Sequence, residues 1–234
     1  MDKEPTLDDV MSNEKIEDAF KKYPVVPFTF ERDERANMRA CSFGIVASSK
    51  SGKTTFLKYL LKKHFGDDIK VFMTQSPNSE IYDSIKKECA FAGAFIPDMI
   101  RTCYLVNKHT KNHYPFCVVV DDVTGVKNDK QMTKLMCLYR NSNMSGIVIG
   151  QDFTMLNATG RANVNNIVLG WQNTDNRIED NIKLFLRSYF PRSLSIEEKI
   201  ALYRRLTFDH HFIWIDNLNN TICRFKLRPQ DIVD

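Results

Sequence analysis

Apolar runs alternate along most of the chain with segments of helical periodicity. The runs contain no regular polar positions and predict strands at 42–46, 70–74, 116–120, 146–150 and about 167–169. The segments between them predict helices near 53–64, 79–91, 97–107 and 130–139. Strands that are buried on both faces have this continuous apolar pattern, and helices then cover both faces of a parallel sheet. The pattern therefore predicts an α/β fold with a mainly parallel sheet flanked by helices.

The C-terminal part of the chain has a different pattern. A helix near 175–189 is followed by one that begins at Ser195, because Ser195 and Glu198 have the spacing of a capping box. Two apolar runs, 212–215 and 221–225, then flank a polar stretch and predict a β-hairpin. We therefore expect a C-terminal helical segment and a hairpin to follow the parallel sheet.

The N-terminal part of the chain is polar and has prolines and clustered charges. Residues 1–38 therefore predict an N-terminal arm in front of one domain that spans 39–234. A chain of 234 residues is long enough for one well-buried domain and too short for two large ones.

Charge and cysteine content change this picture little. The net charge of +4 permits a nucleic-acid partner without requiring one. The six cysteines form no C-x-x-C pair and several lie in apolar runs, which favours buried, reduced thiols and a reducing compartment, the cytosol or the nucleus. No apolar run reaches the roughly 18 residues of a membrane span, and the acidic start does not resemble a signal peptide.

A small, polar turn at 47–54 joins the first predicted strand to the first helix of the sheet. Strand, tight turn and helix start in this order are typical of a phosphate-binding loop, so we expect the chain to bind ATP with Mg²⁺. Lys53 would contact the β- and γ-phosphates, and the Thr54 hydroxyl would bind the metal. Ala47 stands where the usual pattern has its first glycine. The residues expected to contact the nucleotide are Ser48, Ser49, Lys50, Ser51, Gly52, Lys53, Thr54 and Thr55.

Two carboxylates follow the apolar strand at 116–120. Carboxyl ends of parallel strands meet at one edge of a sheet, so Asp121 and Asp122 are expected beside Lys53 and Thr54. We expect Asp121 to hold Mg²⁺ and Asp122 to act as the general base for water. A strand that ends in a solvated Asp-Asp turn is the alternative.

Gln151 follows the next apolar strand, at 146–150. At the same edge of the sheet its side chain could sense the γ-phosphate or orient water. Ordinary strand-end polarity explains the residue equally well at this point.

An ordered set of motifs resembles one known family, the FtsK–HerA superfamily, and within it the poxvirus-type genome-packaging ATPases of large DNA viruses and virophages. Such sequences often have Gly and His where this chain has Ala47 and Asn141. The resemblance covers roughly residues 40–228 and implies a RecA-like P-loop NTPase core, a ring of subunits and ATP-driven movement of double-stranded DNA into a capsid. The motifs lie at 51–55, 74–78, 118–122, 140–143, 150–151, 160–167, 202–206 and 209–216.

A ring would place ATP at a subunit boundary, where an arginine from the neighbour could stabilise the transition state. Arg140 and Arg161 are the candidates, with Arg177 a third. The resemblance favours Arg161, because it lies in the motif that follows the glutamine. A surface arginine with ordinary salt bridges remains the alternative for each one.

The partners that the resemblance implies are double-stranded DNA, other copies of the chain in a pentamer or hexamer, and a capsid or portal protein. DNA contacts are expected through phosphates, at Lys127, Asn128 and Lys130 or at Lys108, Lys111 and His113, where solvated loops are the alternative. We expect the protein in the host cytoplasm (the viral factory) or the nucleus, and leave open whether it enters the virion.

Two other functions remain open from the sequence. A helicase or recombination-type ATPase of the same superfamily would prefer single strands or junctions. A nucleotide-dependent scaffold would bind ATP without sustained hydrolysis.

Overall fold

The computed structural model describes residues 14–32, 40–122, 129–152, 156–173 and 175–228, with the side chains of 175–181 excepted. An eight-stranded sheet has the order β3-β2-β4-β5-β1-β6-β7-β8. The strands are β1 (Ser42–Val46), β2 (Ile69–Thr74), β3 (Phe91–Ala94), β4 (Phe116–Asp121), β5 (Met144–Gly150), β6 (Asn166–Leu169), β7 (His211–Asp216) and β8 (Thr221–Lys226). The first six strands in this order, β3, β2, β4, β5, β1 and β6, are parallel to one another. Strand β7 pairs antiparallel with β6 on one side and with β8 on the other.

Helices cover both faces of this sheet. They are α1 (Glu14–Lys21), α2 (Lys53–His64), α3 (Asp83–Lys87), α4 (Pro97–His109), α5 (Lys130–Cys137), α6 (Ala158–Ala162), α7 (Asp175–Tyr189) and α8 (Ile196–Thr207). Short 3₁₀ helices lie at Glu80–Tyr82 and Tyr139–Ser142. The predicted α/β class with a mainly parallel, helix-covered sheet is confirmed.

Alternating side chains of the central strands pack into two separate hydrophobic cores, one on each face of the sheet. In β4, Val118 and Val120 pack with α4, α5 and α8 on one face of the sheet. Cys117 and Val119 pack on the other face with α2 and α3. All four side chains are at most 1% exposed, which is why this strand reads as an unbroken apolar run.

The prediction of one helix over 79–91 is wrong. The chain there forms the 3₁₀ helix Glu80–Tyr82, the short helix α3 and then the edge strand β3. The side chains of β3 alternate between half-buried and exposed, and Gly93 within it weakens the local preference for a strand. Parallel pairing with β2 defines β3, and such pairing cannot be read from a local pattern.

Residues 14–32 belong to the predicted N-terminal arm, and the structure packs them on the domain. Helix α1 lies on α8, where Arg205 donates to Glu17 at 3.1 Å and lies over the ring of Phe20. Further along, Phe28 and Phe30 are each only 7% exposed and join the core beside α2. Residues 1–13 and 33–39, among them the predicted boundary, lie outside the described part of the chain.

A partly buried ion pair ends this N-terminal segment. The Arg32 guanidinium donates to the Asp68 carboxylate at 2.6 Å and to the carbonyl of His64 at 3.0 Å. It also lies over the ring of Phe65, 4.7 Å from the centroid. The pair therefore fixes the segment to the C-terminal end of α2.

The described helices include none whose length and hydropathy would suit a bilayer span.

His64 predicts a loss of stability in acid. Burial first, and then the charges of Lys63 and Arg32, lower the pKa of His64 to about 4. The unfolded chain, with a histidine pKa near 6.5, therefore binds this proton more readily than the folded protein does. We expect the free energy of unfolding, measured by urea denaturation, to fall as the pH is lowered from about 6.5 to 4.

A matched pair of variants tests this source of acid sensitivity. His64→Gln should flatten the decline across that pH range, because glutamine takes up no proton. The exposed His109 serves as control, and His109→Gln should keep the decline of the unchanged protein. An equal decline in His64→Gln and the unchanged protein would show that His64 is not responsible.

Candidate nucleotide-binding site

A cleft of about 660 Å³ opens at the edge of the sheet where the parallel strands end. The turn between β1 and α2, the ends of β4 and β5, the 3₁₀ helix Glu80–Tyr82 and the C-terminal hairpin all contribute to its walls. The sequence-predicted residues that line it are Ser49, Lys50, Gly52, Lys53, Thr54, Thr55, Asp121, Asp122 and Gln151. Residues far apart in the chain thus meet at one edge, as expected for a parallel sheet.

The turn before α2 has the backbone geometry of an anion-binding loop. Lys50 has φ 62° and Gly52 has φ 95°, and at the latter value only glycine is unstrained. Gly52 is the N-cap of α2; no side chain caps the first turn and no acidic residue lies in it. The N–H groups of that turn and the helix dipole therefore suit a phosphate group.

Ala47 fits the loop without backbone strain. It is absent from the described non-glycine residues with positive φ, so this position does not need glycine for its conformation. Its methyl group instead faces Gly170, which follows β6. A Cβ added to Gly170 would lie 2.9 Å from the Ala47 Cβ and 2.7 Å from Cε1 of Phe212. Gly170 therefore provides the space that the Ala47 methyl group occupies.

Lys53 is held at the mouth of the loop. Its ammonium group donates to the carbonyl oxygens of Ala47 at 2.5 Å and Ser48 at 2.8 Å. Burial lowers the pKa of Lys53, and the charges of Asp121 and Asp122 oppose that shift. Within the described part of the chain, these two backbone oxygens thus position the cation beside the turn.

Ser48 connects the loop to its neighbouring strands. Its hydroxyl donates to Gln172 at 2.8 Å, and its backbone N–H donates to the carbonyl of Trp171 at 2.8 Å. Gln172 is fully buried and donates onward to the carbonyl of Gln151 at 3.2 Å. Both donors of Ser48 are used inside the protein, so the structure gives this residue a scaffolding role in the loop. Polar residues directly after the strand β6 are the sequence signal that could have identified Gln172.

The two carboxylates at the end of β4 have different environments. Asp121 is 3% exposed, and burial raises its pKa to about 6; a hydrogen bond from Tyr82 and the charge of Lys53 oppose the rise. Asp122 is exposed, has φ 51° and donates its N–H to the carbonyl of Ile149 at 2.9 Å. One carboxylate thus lies on the floor of the cleft and the other at its solvent edge.

Sequence reasoning missed the wall formed by the hairpin and by Tyr82. His210, Phe212, Lys226 and Leu227 line the cleft, and Phe212 contacts the position of Gly52. Among these residues, His210 is exposed and borders the cleft. Lys226 is paired with Asp209 at 2.6 Å, which holds the two ends of the hairpin together.

Arg140 and Arg161 lie outside the cleft of their own chain. Arg140 donates to the side-chain oxygen of Asn165 at 2.7 Å, at the start of β6 and so at the opposite edge of the sheet. Arg161 donates to the carbonyl of Leu156 at 2.5 Å. The side chain of Arg177 lies outside the described residues, as do Lys127 and Asn128.

Magnesium would have few protein ligands at this site. Within the described ranges, no cluster of three or more His, Cys, Asp or Glu side chains could hold a metal ion. The oxygen donors that line the cleft include the Thr54 hydroxyl and the carboxylates of Asp121 and Asp122. Mg²⁺ prefers such oxygen ligands and usually keeps waters and phosphate oxygens beside one or two carboxylates, so this donor set fits it.

Comparison with known proteins gives a matching family model and several similar solved structures. The model of the family described as poxvirus A32 protein matches residues 28–199. The genome packaging NTPase B204 from Sulfolobus turreted icosahedral virus 2 in complex with sulfate has a TM-score of 0.57, 15% identity, and coverage of 81% of this chain and 97% of that chain. The same protein in complex with ATP-gammaS has a TM-score of 0.52, 16% identity, and coverage of 80% and 97%.

B204, the DNA-packaging ATPase from Sulfolobus turreted icosahedral virus, has a TM-score of 0.55, 12% identity, and coverage of 80% of this chain and 98% of that chain. At these identities the structural likeness shows a shared fold. The search of curated proteins found no significant match.

The contact between Ala47 and Gly170 predicts a coupled effect of substitution. Gly170→Ala should lower the free energy of unfolding by about 1–3 kcal/mol, because its methyl group would overlap Ala47 and Phe212. Ala47→Gly in the same chain should recover part of that loss, since it removes one of the two overlaps. Urea denaturation of both single variants and the double variant measures the coupling.

Gly160→Ala is the matched control, because an added Cβ there would meet its neighbours at ordinary distances of 3.4 Å or more. This substitution should change the free energy of unfolding little. Strict additivity of the two substitutions at 47 and 170 would contradict the proposed packing of the loop on β6.

Proposed function

This chain belongs to the poxvirus A32 protein family, and from that premise we propose that it is an ATP-hydrolysing motor that moves double-stranded viral DNA into a capsid. The family supports the coarse function, a viral genome-packaging ATPase. The B204 structures, which share the fold, were obtained for a genome packaging NTPase and include a complex with ATP-gammaS. The single observation that carries the proposal is the cleft in which the loop, Lys53, Asp121 and Asp122 meet.

The phosphates of ATP would bind to the turn that precedes α2. Its first-turn N–H groups have no side-chain cap, and the Ser51 hydroxyl is buried without a hydrogen-bond partner among the described residues. Lys53 would exchange its two carbonyl contacts for phosphate oxygens, since a charged acceptor forms the stronger hydrogen bond. The loop therefore offers donors and a cation for the β- and γ-phosphates.

Thr54 and Asp121 would hold the magnesium ion that accompanies the nucleotide. When bound, Mg²⁺ would neutralise charge on the phosphate oxygens. The buried position of Asp121 suits a metal ligand, because a metal ion offsets the cost of burying its charge.

Asp122 and Gln151 would act on the attacking water. Asp122 is exposed at the rim of the cleft, where its carboxylate can accept a proton from water that approaches the γ-phosphate. Gln151 follows the end of the neighbouring strand β5, and its backbone carbonyl accepts a hydrogen bond from the Gln172 side chain. Its side chain would orient the water or sense the γ-phosphate.

A ring of subunits, a pentamer or hexamer, would complete the site. Since Arg140 and Arg161 lie outside their own cleft, either one would act on the nucleotide of a neighbour. Arg161 is the first choice, because it lies in the family motif that follows the glutamine.

DNA in the ring would be held through its phosphates, because a motor must move along any sequence. The exposed Lys108, Lys111, His113 and Lys130 are candidates for this contact. A capsid or portal protein would be the docking partner in the infected cell.

Steady-state hydrolysis tests the motor directly. Lys53→Ala should lower the rate of ATP hydrolysis by about 100-fold or more, because it removes a charge that stabilises the transition state. In the unchanged protein, long double-stranded DNA should raise the rate several-fold. Lys62→Ala, at an exposed position on the same helix, should behave like the unchanged protein.

Two other outcomes would overturn the proposed motor function. Stimulation by single strands or junctions alone would point to a helicase or recombination-type ATPase. ATP binding without hydrolysis under any DNA condition would point to a nucleotide-dependent scaffold.

Mixing inactive variants tests the shared site. Arg161→Ala supplies an intact loop and Lys53→Ala an intact arginine, so an equal mixture should regain activity at about a quarter of the sites in a head-to-tail ring. A mixture of Lys53→Ala with Asp121→Asn should stay inactive, because both changes lie in the same cleft. Equal inactivity of the two mixtures would remove Arg161 from this role.

A further inference from the structure

Tyr82 lies in the wall of the nucleotide cleft although nothing in its local sequence marks it. It ends the 3₁₀ helix that follows β2 and is 8% exposed. The motif at 74–78, which contributes to the family resemblance without a chemical role, lies a few residues before Tyr82 in the chain. The contacts of Tyr82 give both features one explanation.

A chain of hydrogen bonds leads from that motif to Asp121. The backbone N–H of Ser76 donates to the Thr74 hydroxyl oxygen at 3.2 Å. The Tyr82 hydroxyl lies within reach of a hydrogen bond to Thr74 and to the Asp121 carboxylate, with which it lines the cleft. Thr74 and Asp121 are register partners on the adjacent strands β2 and β4, which brings the ends of this chain together.

Each bond in this chain has a defined direction. The Ser76 N–H occupies the Thr74 oxygen as an acceptor, so the Thr74 hydroxyl proton is free to point to Tyr82. A tyrosine phenol carries its proton at neutral pH and an ionised carboxylate can only accept, so Tyr82 is the donor toward Asp121. Successive bonds of one direction polarise and strengthen one another.

Asp121 depends on Tyr82 because Lys53 is engaged elsewhere. The Lys53 ammonium contacts the carbonyls of Ala47 and Ser48, and within the described ranges it forms no ion pair with Asp121. The buried Asp121 and Tyr82 side chains line the same cleft. The phenol is therefore the neutral donor placed beside this carboxylate.

The Tyr82 ring is itself fixed in place. It packs against Phe72 with the centroids 5.0 Å apart, inside the core beside α2. Lys86 braces the preceding turn, with hydrogen bonds to the carbonyl of Ser79 at 3.0 Å and to Asp83 at 2.9 Å. The hydroxyl is thus held by packing on one side and by hydrogen bonds on the other.

We propose that Tyr82 is a positioning residue that orients the Asp121 carboxylate for the metal ion of the bound nucleotide, and that the motif at 74–78 serves to orient Tyr82. This inference rests on the proposed function, in which Asp121 is a metal ligand. Residues that orient a metal ligand typically change metal affinity by about 10–100-fold when they are altered.

The test measures magnesium-dependent binding instead of turnover. ATP-gammaS is titrated into the full chain in EDTA and then at increasing MgCl₂, and the Mg²⁺ concentration at half-maximal gain in affinity is recorded. Tyr82→Phe keeps the packing on Phe72 and removes only the hydroxyl. It should raise that Mg²⁺ concentration about 10-fold and leave the affinity in EDTA unchanged.

Two further variants make the result specific. Tyr139→Phe is the matched control, because it removes another buried hydroxyl, one that donates to Gln131 at 2.9 Å away from the cleft. It should leave the Mg²⁺ requirement unchanged. Thr74→Val should raise the requirement by less than Tyr82→Phe does, because it leaves the phenol beside Asp121 and removes the hydroxyl that supports Tyr82 and accepts from the Ser76 N–H. It provides a second test if Tyr82→Phe does not fold.

The outcomes separate this inference from the function on which it rests. If the unchanged protein binds ATP-gammaS without any gain from Mg²⁺, the proposed metal site itself fails. If Mg²⁺ strengthens binding in the unchanged protein and Tyr82→Phe has the same requirement, the positioning role of Tyr82 is overturned. An equal loss of affinity in EDTA and in Mg²⁺ would also overturn it, because that result indicates general damage to the cleft.

Discussion

The position of β1 between β5 and β6 determines the shape of the phosphate-binding loop. Hydrogen bonds continue past the strand ends, from the Ala47 N–H to Gly150, from the Ser48 N–H to Trp171 and from the Gly170 N–H to Val46. These bonds fix the backbone on both sides before the turn begins. The loop can then present the first-turn N–H groups of α2 without support from a capping side chain. The rest of the cleft is built around this fixed point.

Burial of charged groups is the cost that accompanies this arrangement. Asp121 lies on the cleft floor with a raised pKa, and Lys53 lies beside it with a lowered pKa, so burial disfavours both charges. A carboxylate and an ammonium group held apart by separate hydrogen bonds are less stabilised than a direct ion pair would be. Under the proposed function, a ligand that carries both phosphate and metal charge would stabilise both groups. The aromatic core beside α2 and the hairpin that packs on it offset this cost elsewhere in the fold.

The sequence identified the parts of the cleft that directly follow an apolar strand and missed the parts that have no such local signal. The turn at 47–54 and the carboxylates after β4 follow apolar strands, so their place at one edge could be predicted. Tyr82 and the hairpin residue Phe212 have no such local signal, because the strand order brings them to the cleft. The edge strand β3 was missed for the same reason, since its side chains are half exposed and only its pairing with β2 defines it.

The sequence by itself determined the fold class, the strand–turn–helix unit of the loop, the two carboxylates and the family, which the match over residues 28–199 confirms. Each of these depends on local periodicity or on a short motif, so the chain carries the information within a few residues. Only the tertiary structure decided that Ser48 bridges to Gln172, that Gly170 makes room for Ala47 and that Tyr82 reaches Asp121. Those contacts join residues that are distant in the chain, and their geometry exists only once the sheet register has brought the strand ends together.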